Sequence, residues 1–561
     1  MRQRRQENGL TVNAIGGTHV VLLGLDIAAD KRDRLLGFAI QREDHVEDER
    51  YWLKGMKAFE ETDPGLGPGG QASSREQPFQ TFQWADYSAK PDRPYTYTVV
   101  PLHGAPSHLE EGDRVSVEVR TEAEGGAAHS VFFNRGAAAS QEYARRFENK
   151  RPDEVGAPAF KWLSRGLLEA LKAFIGRASG AGFGLYGAIY EFQHPDVLAA
   201  IKAAGVSGAR VKVIYDAVPN AKKSPLTKNT TAIAGAQIKS RCKGRTRARL
   251  MHNKFLVLTR RVGGDDQPIA VWTGSTNATV NGIFGHSNCG HVAEDGAIAA
   301  EFLAYWRELF TDPASADLKD WTEGQNPAPP APGANGAPTL AVFSPRRGLR
   351  VLDWYAALAG QAQEALFMTF AFGMHKSLLR VYDRTDAVLR FALMEKEGSG
   401  AGLAQARKDI RRVRRRPNVL IAIGGRIVTN RFDRWLREID RVVAEAHVLW
   451  IHTKYMLVDP LGHAPVVVTG SANFSEASTD TNDENMLVIR NDERVADIYL
   501  GEYMRLFSHY SFREAVRIHF EQTDETEDWK PNFLIPDAGW LAEYFQDGND
   551  RSMRRRYFAR T

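Results

Sequence analysis

The chain has 561 residues, 43% of them hydrophobic and 25% charged, with a formal net charge of +4. That length predicts two or three domains, and the composition is that of an ordinary soluble globular protein. Two cysteines, Cys242 and Cys289, exclude a disulfide scaffold and fit a reducing compartment. The basic start, Met1-Arg-Gln-Arg-Arg, lacks the apolar stretch of a signal peptide, and no apolar run approaches membrane-spanning length. A cytoplasmic protein without a transmembrane segment is therefore expected, unless a non-standard export route carries it. So mild a net charge selects no partner; its placement matters more.

In chain order, residues 1–15 read as a flexible arm. Strands are expected at 19–25, 34–41, 79–84, 95–101 and 114–121, separated by turn signals such as Asp63-Pro-Gly. Alternation in Tyr95-Thr-Tyr-Thr-Val and Val115-Ser-Val-Glu-Val points to antiparallel strands with one wet face. Residues 16–122 then form an all-β, immunoglobulin- or fibronectin-like sandwich. It carries no catalytic set, and its expected role is packing, homo-oligomerisation or binding a protein partner.

A connector at 123–150 leads to a first α/β half, 151–322. It holds a helix at 159–178, strands at 184–192 and 209–216 with a helix at 194–204 between them, and a helix at 297–310. A Pro/Ala/Gly linker spans 323–338. The second half, 339–530, replays the order: helix 348–362, strands 365–372 and 388–394, a basic stretch, and a helix at 431–444. Residues 531–561, with Arg554-Arg-Arg-Tyr, are expected to be a solvated tail. Alternating helices and strands imply mixed α/β layers around a buried sheet in each half.

Both halves end in the same composite. The first reads Met251-His252-Asn-Lys254-Phe-Leu-Val-Leu-Thr259, then Val271-Trp-Thr-Gly274-Ser275-Thr-Asn277. The second reads Ile451-His452-Thr-Lys454-Tyr-Met-Leu-Val-Asp459, then Val466-Val-Val-Thr-Gly470-Ser471-Ala-Asn473. An isolated H-x-K is weak, but the whole order appearing twice is not chance. Residues two apart on a strand share a face, so each His/Lys pair points one way, and each Asn can come alongside from the neighbouring strand end. Two such units facing each other gather two imidazoles, two ammoniums and two amides. Lysines neutralise phosphoryl oxygens, one histidine can attack phosphorus, and the other can protonate the leaving oxygen.

Both copies resemble the H-x-K-(x4)-D and G-S-x-N motifs of the phospholipase D superfamily, over roughly residues 155–530. The resemblance implies duplicated catalytic halves packed as one pseudo-two-fold unit. It also implies a phosphodiesterase with a covalent phosphohistidine intermediate and neither metal nor cofactor. His252, Lys254, Asn277, His452, Lys454 and Asn473 are its catalytic residues, with Ser275, Ser471 and Asp459 supporting. Thr259 departs from the pattern where Asp459 keeps it. In the family an acidic residue beyond G-S-x-N often bonds its own histidine. Eleven positions past Asn473 stands Glu484; eleven past Asn277 stands Asn288. On that reading His452 has the carboxylate and serves as general acid, while His252, beside an amide, is the nucleophile; the reverse assignment stays open. Tyrosyl-DNA phosphodiesterases, within this superfamily, resemble this asymmetry.

His286, Cys289 and His291 have spacing that could bind zinc, but a fourth ligand is missing and a polar loop beside Asn277 is the expectation. Glu294-Asp295 reads as surface charge. Positive charge precedes each H-x-K: Lys239, Arg241, Lys243, Arg245, Arg247 and Arg249 in one half, and Arg407, Lys408, Arg411, Arg412, Arg414, Arg415 and Arg416 in the other. Arg245, Arg247, Arg412 and Arg415 are the candidates for contacts to a nucleic-acid backbone. Anionic lipid headgroups would be drawn equally well. Phe284 and Trp450 could stack a base or line an acyl channel. The balance leans to a nuclease, with a phospholipase D or phosphatidyltransferase next and a degenerate binding protein third.

Overall fold

A computed structural model describes residues 1–65, 70–136, 141–148, 150, 152–219, 225–327, 337–398, 400–424, 451–522 and 533–561. Two seven-stranded sheets dominate it, and their strand orders correspond position by position. The first runs His129–Phe133, Cys289–Ala293, Asp265–Gly274, Lys254–Val262, Phe183–Ile189, Arg210–Asp216, Cys242–Arg245. The second runs Thr339–Ser344, Glu484–Arg490, Val466–Gly470, Tyr455–Val458, Ala365–Phe370, Leu389–Met394, Val419–Ile423. In each sheet the last three strands are mutually parallel. Parallel neighbours need crossovers, and these are helical: Pro195–Val206 and Leu226–Gly235 in the first half, Lys376–Tyr382 and Leu403–Arg414 in the second. Cover on both faces is why every residue of a strand such as Ala365–Phe370 is buried.

Each sheet buries one face under its own helices and shares the other. Leu185, Leu256 and Trp272 belong to the first half's private core, and Leu366, Met368 and Val468 to the second's. The inner faces merge into one cluster through Phe255, Phe302, Phe367, Tyr455 and Tyr499. The long helix Glu493–Gln522 lies in this seam, sending Tyr499, Tyr503 and Phe507 inward.

The N-terminal region is β-rich, as expected, but begins earlier. Residues 1–15 are no arm: Arg2–Glu7 and Leu10–Gly16 form a hairpin in a sheet with Val21–Ile27 and Gln83–Asp86. Leu10, Val12 and Ala14 alternate into a core with Leu23, Phe38, Tyr97 and Val117, the last three from a second sheet built around Leu35–Asp44 and Pro94–Ala105. The charge that made this segment look solvated is used: Arg2 donates to Asp497 at 2.9 Å.

Other boundaries shift too. The connector 123–150 contributes His129–Phe133, the edge strand of the first catalytic sheet. The helix expected at 159–178 is two, Ala157–Ser164 and Leu167–Gly176, broken where Arg165 and Gly166 take left-handed φ of 46° and 90°. That break turns the Arg165 guanidinium inward to Glu502 at 2.7 Å. Helix Ser315–Gln325 runs into the expected linker, of which residues 328–336 lie outside the described residues, as do the helix expected at 431–444 and Trp450. The C-terminal segment is not a solvated tail. Asp550–Ala559 is a helix with Arg555, Tyr557 and Phe558 buried, and the Asn13 side chain donates to the Phe558 carbonyl at 2.8 Å. Among the described residues no helix is long and apolar enough to cross a membrane.

Candidate active site

The two H-x-K units meet where the halves abut. Short parallel bridges pair Met251 with Asp483 and Ile451 with Ser287. The His252 amide donates to the Asp483 carbonyl at 2.9 Å, and the His452 amide to the Ser287 carbonyl at 3.2 Å. The histidine rings stand 6.4 Å apart, centroid to centroid. All six residues expected from the doubled motif lie in or beside this seam and are buried, apart from a half-buried His452.

The histidine partners are crossed. His252 Nδ1 lies 2.9 Å from Glu484 of the second half. His452 Nδ1 lies 2.8 Å from Asn288 Oδ1 of the first. The expectation that each histidine takes the partner downstream in its own half is therefore wrong. Glu484 and Asn288 begin or precede strands whose ends point across the seam, so each half completes the other's imidazole. Asn288 is held amide-oxygen forward because its Nδ2 donates to the Gly282 carbonyl at 2.7 Å. Both bonds therefore leave Nε2 as the working nitrogen.

The G-S-x-N segments build these partners. A Cβ on Gly274 would collide with the Cys289 carbonyl, and one on Gly470 with that of Asn485, so only glycine lets the strands approach. The next residue uses that approach. Ser275 donates to Asn288 at 2.8 Å and accepts the Cys289 amide, while Ser471 donates to Glu484 at 2.6 Å and accepts the Asn485 amide. The serines thus act on the histidine partners. Asn277 Nδ2 donates to Glu191 at 2.5 Å, and the Oδ1 atoms of Asn277 and Asn473 are buried without a hydrogen-bond partner. Each lysine spans its own motif, Lys254 Nζ to the His252 carbonyl and Lys454 Nζ to the His452 carbonyl, both at 2.6 Å.

Burial sets the electrostatics. It pushes His252 down to about 4, against the pull of Glu484, and holds His452 well below the usual imidazole range, with Lys454 adding to the effect. Burial lowers Lys254 to about 8 and holds Lys454 well below the ordinary ammonium range. Glu484 stays below its ordinary value because His252 and Lys254 outweigh the cost of burying it. A site so short of counter-charge favours an incoming anion.

Two positioning acids escaped the sequence reading. Asp216 Oδ2 accepts the Met251 amide at 2.8 Å, and Glu395 Oε2 accepts the Ile451 amide at 2.9 Å. Both fix the residue just before a histidine, and burial raises them to about 6 and about 8. Their signal was present: an apolar strand ending in an acid, Val-Ile-Tyr-Asp216 and Ala-Leu-Met-Glu395, at the same place in each half.

Several expected residues do other work. Arg245 is not a backbone contact: its side chain is 0% exposed and reaches Asp483 at 2.9 Å and Asp312 at 2.7 Å, clamping the seam. Arg412 is exposed but shared between Asp383 and Asp409. Arg247 and Arg415 are exposed. Asp459 sits away from the histidines, accepting the amides of Gln363, Glu364 and Ala365, whereas Thr259 in the first half donates to Asp266 at 3.4 Å. His286 packs 5.4 Å from the His452 ring, whereas His291 bonds His129 at 3.0 Å and Tyr499 at 3.0 Å. Among the described residues no three of His, Cys, Asp or Glu converge as metal ligands. Phe284 packs on Phe160 and His194 in the first half's core, and Asp295 caps helix Gly296–Thr311.

The family model described as "Cardiolipin synthase, PLD-like domain" matches residues 174–310 and 426–506, which takes in both composites. No curated protein matches the chain. Among solved structures it is similar to phosphatidylserine synthase of Haemophilus influenzae Rd KW20, at 11% identity and TM-score 0.41, covering 62% of this chain and 85% of that one. It is also similar to the yeast tyrosyl-DNA phosphodiesterase, at 11% identity and TM-score 0.34, covering 58% and 86%. For polyphosphate kinase of Porphyromonas gingivalis the values are 12% and 0.37, covering 57% of this chain and 43% of that one, so the chain spans less than half of that enzyme. Likenesses this distant carry nothing about substrate. The matched segments and the doubled, interlocked H-x-K and G-S-x-N sets agree: over residues 174–310 and 426–506 the chain carries a domain of the phospholipase D-like type.

Proposed function

We propose that the chain is a phosphodiesterase that needs no metal, acts through a phosphohistidine on His252, and takes nucleic acid as substrate. The crossed pairing carries the assignment of nucleophile. A carboxylate on Nδ1 fixes the tautomer, raises the basicity of Nε2 and stabilises the positive charge that forms when Nε2 bonds phosphorus. His252, with Glu484, has that carboxylate; His452, with Asn288, does not. The earlier expectation thus keeps its nucleophile but on the opposite ground.

In the first step His252 Nε2 attacks phosphorus, the P–O bond breaks, and the leaving oxygen takes the Nε2 proton of His452. In the second, water attacks phosphorus, His452 takes its proton, and the P–N bond breaks with its electron pair returning to His252. Lys254, Lys454, Asn277 and Asn473 hold the non-bridging oxygens. Exposed Arg247 and Arg415 favour a polyanion as substrate. The description of the matching family model favours a second reading, phospholipase D or phosphatidyl transfer on glycerophospholipids. A binding protein with a spent site is disfavoured, since both His/Lys pairs and both asparagines meet. We further read the halves as pseudo-two-fold related and the N-terminal sheets as an immunoglobulin- or fibronectin-like sandwich open to a partner or a second copy. Unpaired Cys242 and Cys289 suit the cytoplasm.

The test is purified protein in EDTA against labelled single- and double-stranded nucleic acid and against phosphatidylcholine or phosphatidylglycerol vesicles, each with a His252→Ala control. Nucleic-acid cleavage lost in the variant supports the proposal. Headgroup release alone replaces it with the lipid reading, and silence on both sinks the phosphodiesterase itself.

A further inference from the structure

Where the halves differ at equivalent positions, they make the two sides of the site unlike. Phe183–Ile189 and Ala365–Phe370 are equivalent strands, and two residues beyond them stand Glu191 and Phe372. Phe372 is 53% exposed, with Lys396 over its ring at 5.1 Å. Glu191 instead lies inside the site. Its carbonyl accepts the Ala278 amide at 3.0 Å, tying it to the G-S-x-N segment, and its carboxylate accepts from Asn277. The preceding Tyr190 ring lies 5.1 Å from the His252 ring and 5.2 Å from Lys254 Nζ. A carboxylate among groups arranged for an anion weakens phosphate binding unless something offsets it. Burial holds Glu191 above the ordinary glutamate range, against Lys254 and Lys228. Beside it Asn277 Oδ1 is buried and unpartnered, so two acceptors meet on the first-half side with one donor between them.

We propose that Glu191 and Asn277 Oδ1 form a subsite for a hydrogen-bond donor, a hydroxyl or an ammonium, carried by the substrate next to its phosphodiester. The inference rests on the phosphodiester reading and adds which neighbours of phosphorus are accepted. The second half has Phe372 in place of Glu191 and keeps only the Asn473 Oδ1 acceptor, so the carboxylate sets the direction in which the substrate enters. The donor has two sources: a ribose hydroxyl beside the phosphate, or the headgroup of a lipid such as phosphatidylethanolamine.

The experiment is calorimetric binding of two ligand pairs to the full chain and to Glu191→Ala and Glu191→Gln. One pair is adenosine 3′-phosphate and its 2′-deoxy form; the other is glycerophosphoethanolamine and glycerophosphocholine. The wild type should bind the donor-bearing member of one pair about tenfold tighter, the scale of one hydrogen bond to a charged group. Glu191→Ala should bring that ratio close to one. Glu191→Gln should keep most of it for a hydroxyl and lose it for an ammonium. Equal affinities within both pairs, no binding of any ligand, or equal weakening of both members by Glu191→Ala would overturn the subsite. Hydrolysis of bis(4-nitrophenyl) phosphate, with and without His252→Ala, is read in parallel. Discrimination intact but no hydrolysis would sink the phosphodiesterase and leave the subsite standing.

Discussion

His252 and Glu484 are 232 residues apart in sequence and 2.9 Å apart in space, on opposite sides of the seam. The bond gives His252 a fixed Nδ1 proton and leaves His452 to an amide. The expected outcome is that His452→Ala accumulates a covalent phosphoryl adduct from labelled substrate, because attack proceeds and release does not. His252→Ala should show none. An adduct in the second variant alone reverses the roles.

Glu484→Gln should cost about a hundredfold or more in kcat, as losing the orienting carboxylate of a catalytic imidazole does, with unfolding little changed. Full activity in that variant would mean the carboxylate only packs.

Asn288→Asp would give His452 a carboxylate. His452 now lies well below the ordinary imidazole range through burial and Lys454. A neighbouring negative charge raises it, and a general acid works only while protonated, so the alkaline limb of the kcat/KM profile should move to higher pH. A limb that stays in place would take His452 out of the acid role.

Arg245 is enclosed with Asp483 and Asp312. Arg245→Ala leaves both carboxylates unpaired, and breaking a buried pair this way costs about 3–5 kcal/mol. Denaturant unfolding should show that loss. Arg247→Ala, at the exposed surface, should leave stability alone and reduce the salt dependence of nucleic-acid binding by about one unit of slope. Exchanged outcomes would restore Arg245 as a substrate contact.

His129 and His291 bond each other in the buried seam, and burial holds both below the usual imidazole range. The unfolded chain therefore takes up protons that the folded one refuses, and stability, complete above about pH 6.5, is lost as the pH falls, by up to about 1.4 kcal/mol per unit and histidine. Melting temperature should fall from pH 7 to pH 5, and less steeply in His291→Asn. Parallel slopes would exclude this pair as the cause.

The doubled motif made much of this legible. A composite repeated in order fixes two strand pairs, and the helix–strand alternation around it fixes the layers. Glu484 and Asn288 were legible as histidine partners by spacing, but not for which histidine, since that depends on how two distant sheets abut. Arg245 misled for a similar reason: in a basic run it is indistinguishable from Arg247 until Asp312 and Asp483 are in place. Leu10, Val12 and Ala14 alternate as a strand should, yet the arginines before them masked it. Asp216 and Glu395 were missed because one acid after an apolar strand is common, and only comparing the halves singles them out.

The last helix, Asp550–Ala559, is ten residues long and touches both major parts of the molecule. Phe558 lies so close to Gly24 that a Cβ there would overlap its carbonyl; Arg555 pairs with Asp26 of the N-terminal sheet, and Arg560, just beyond, with Glu364 of the second half. A rivet of this kind removes independence. The N-terminal sheets and the second half cannot melt in separate steps while it is seated, so heating should give one cooperative transition where a two-part chain would give two. Cutting the chain ahead of residue 550 would remove this tie and leave Arg2 on Asp497 and Tyr87 on Met504 to join the two, so the transition should broaden and move to lower temperature.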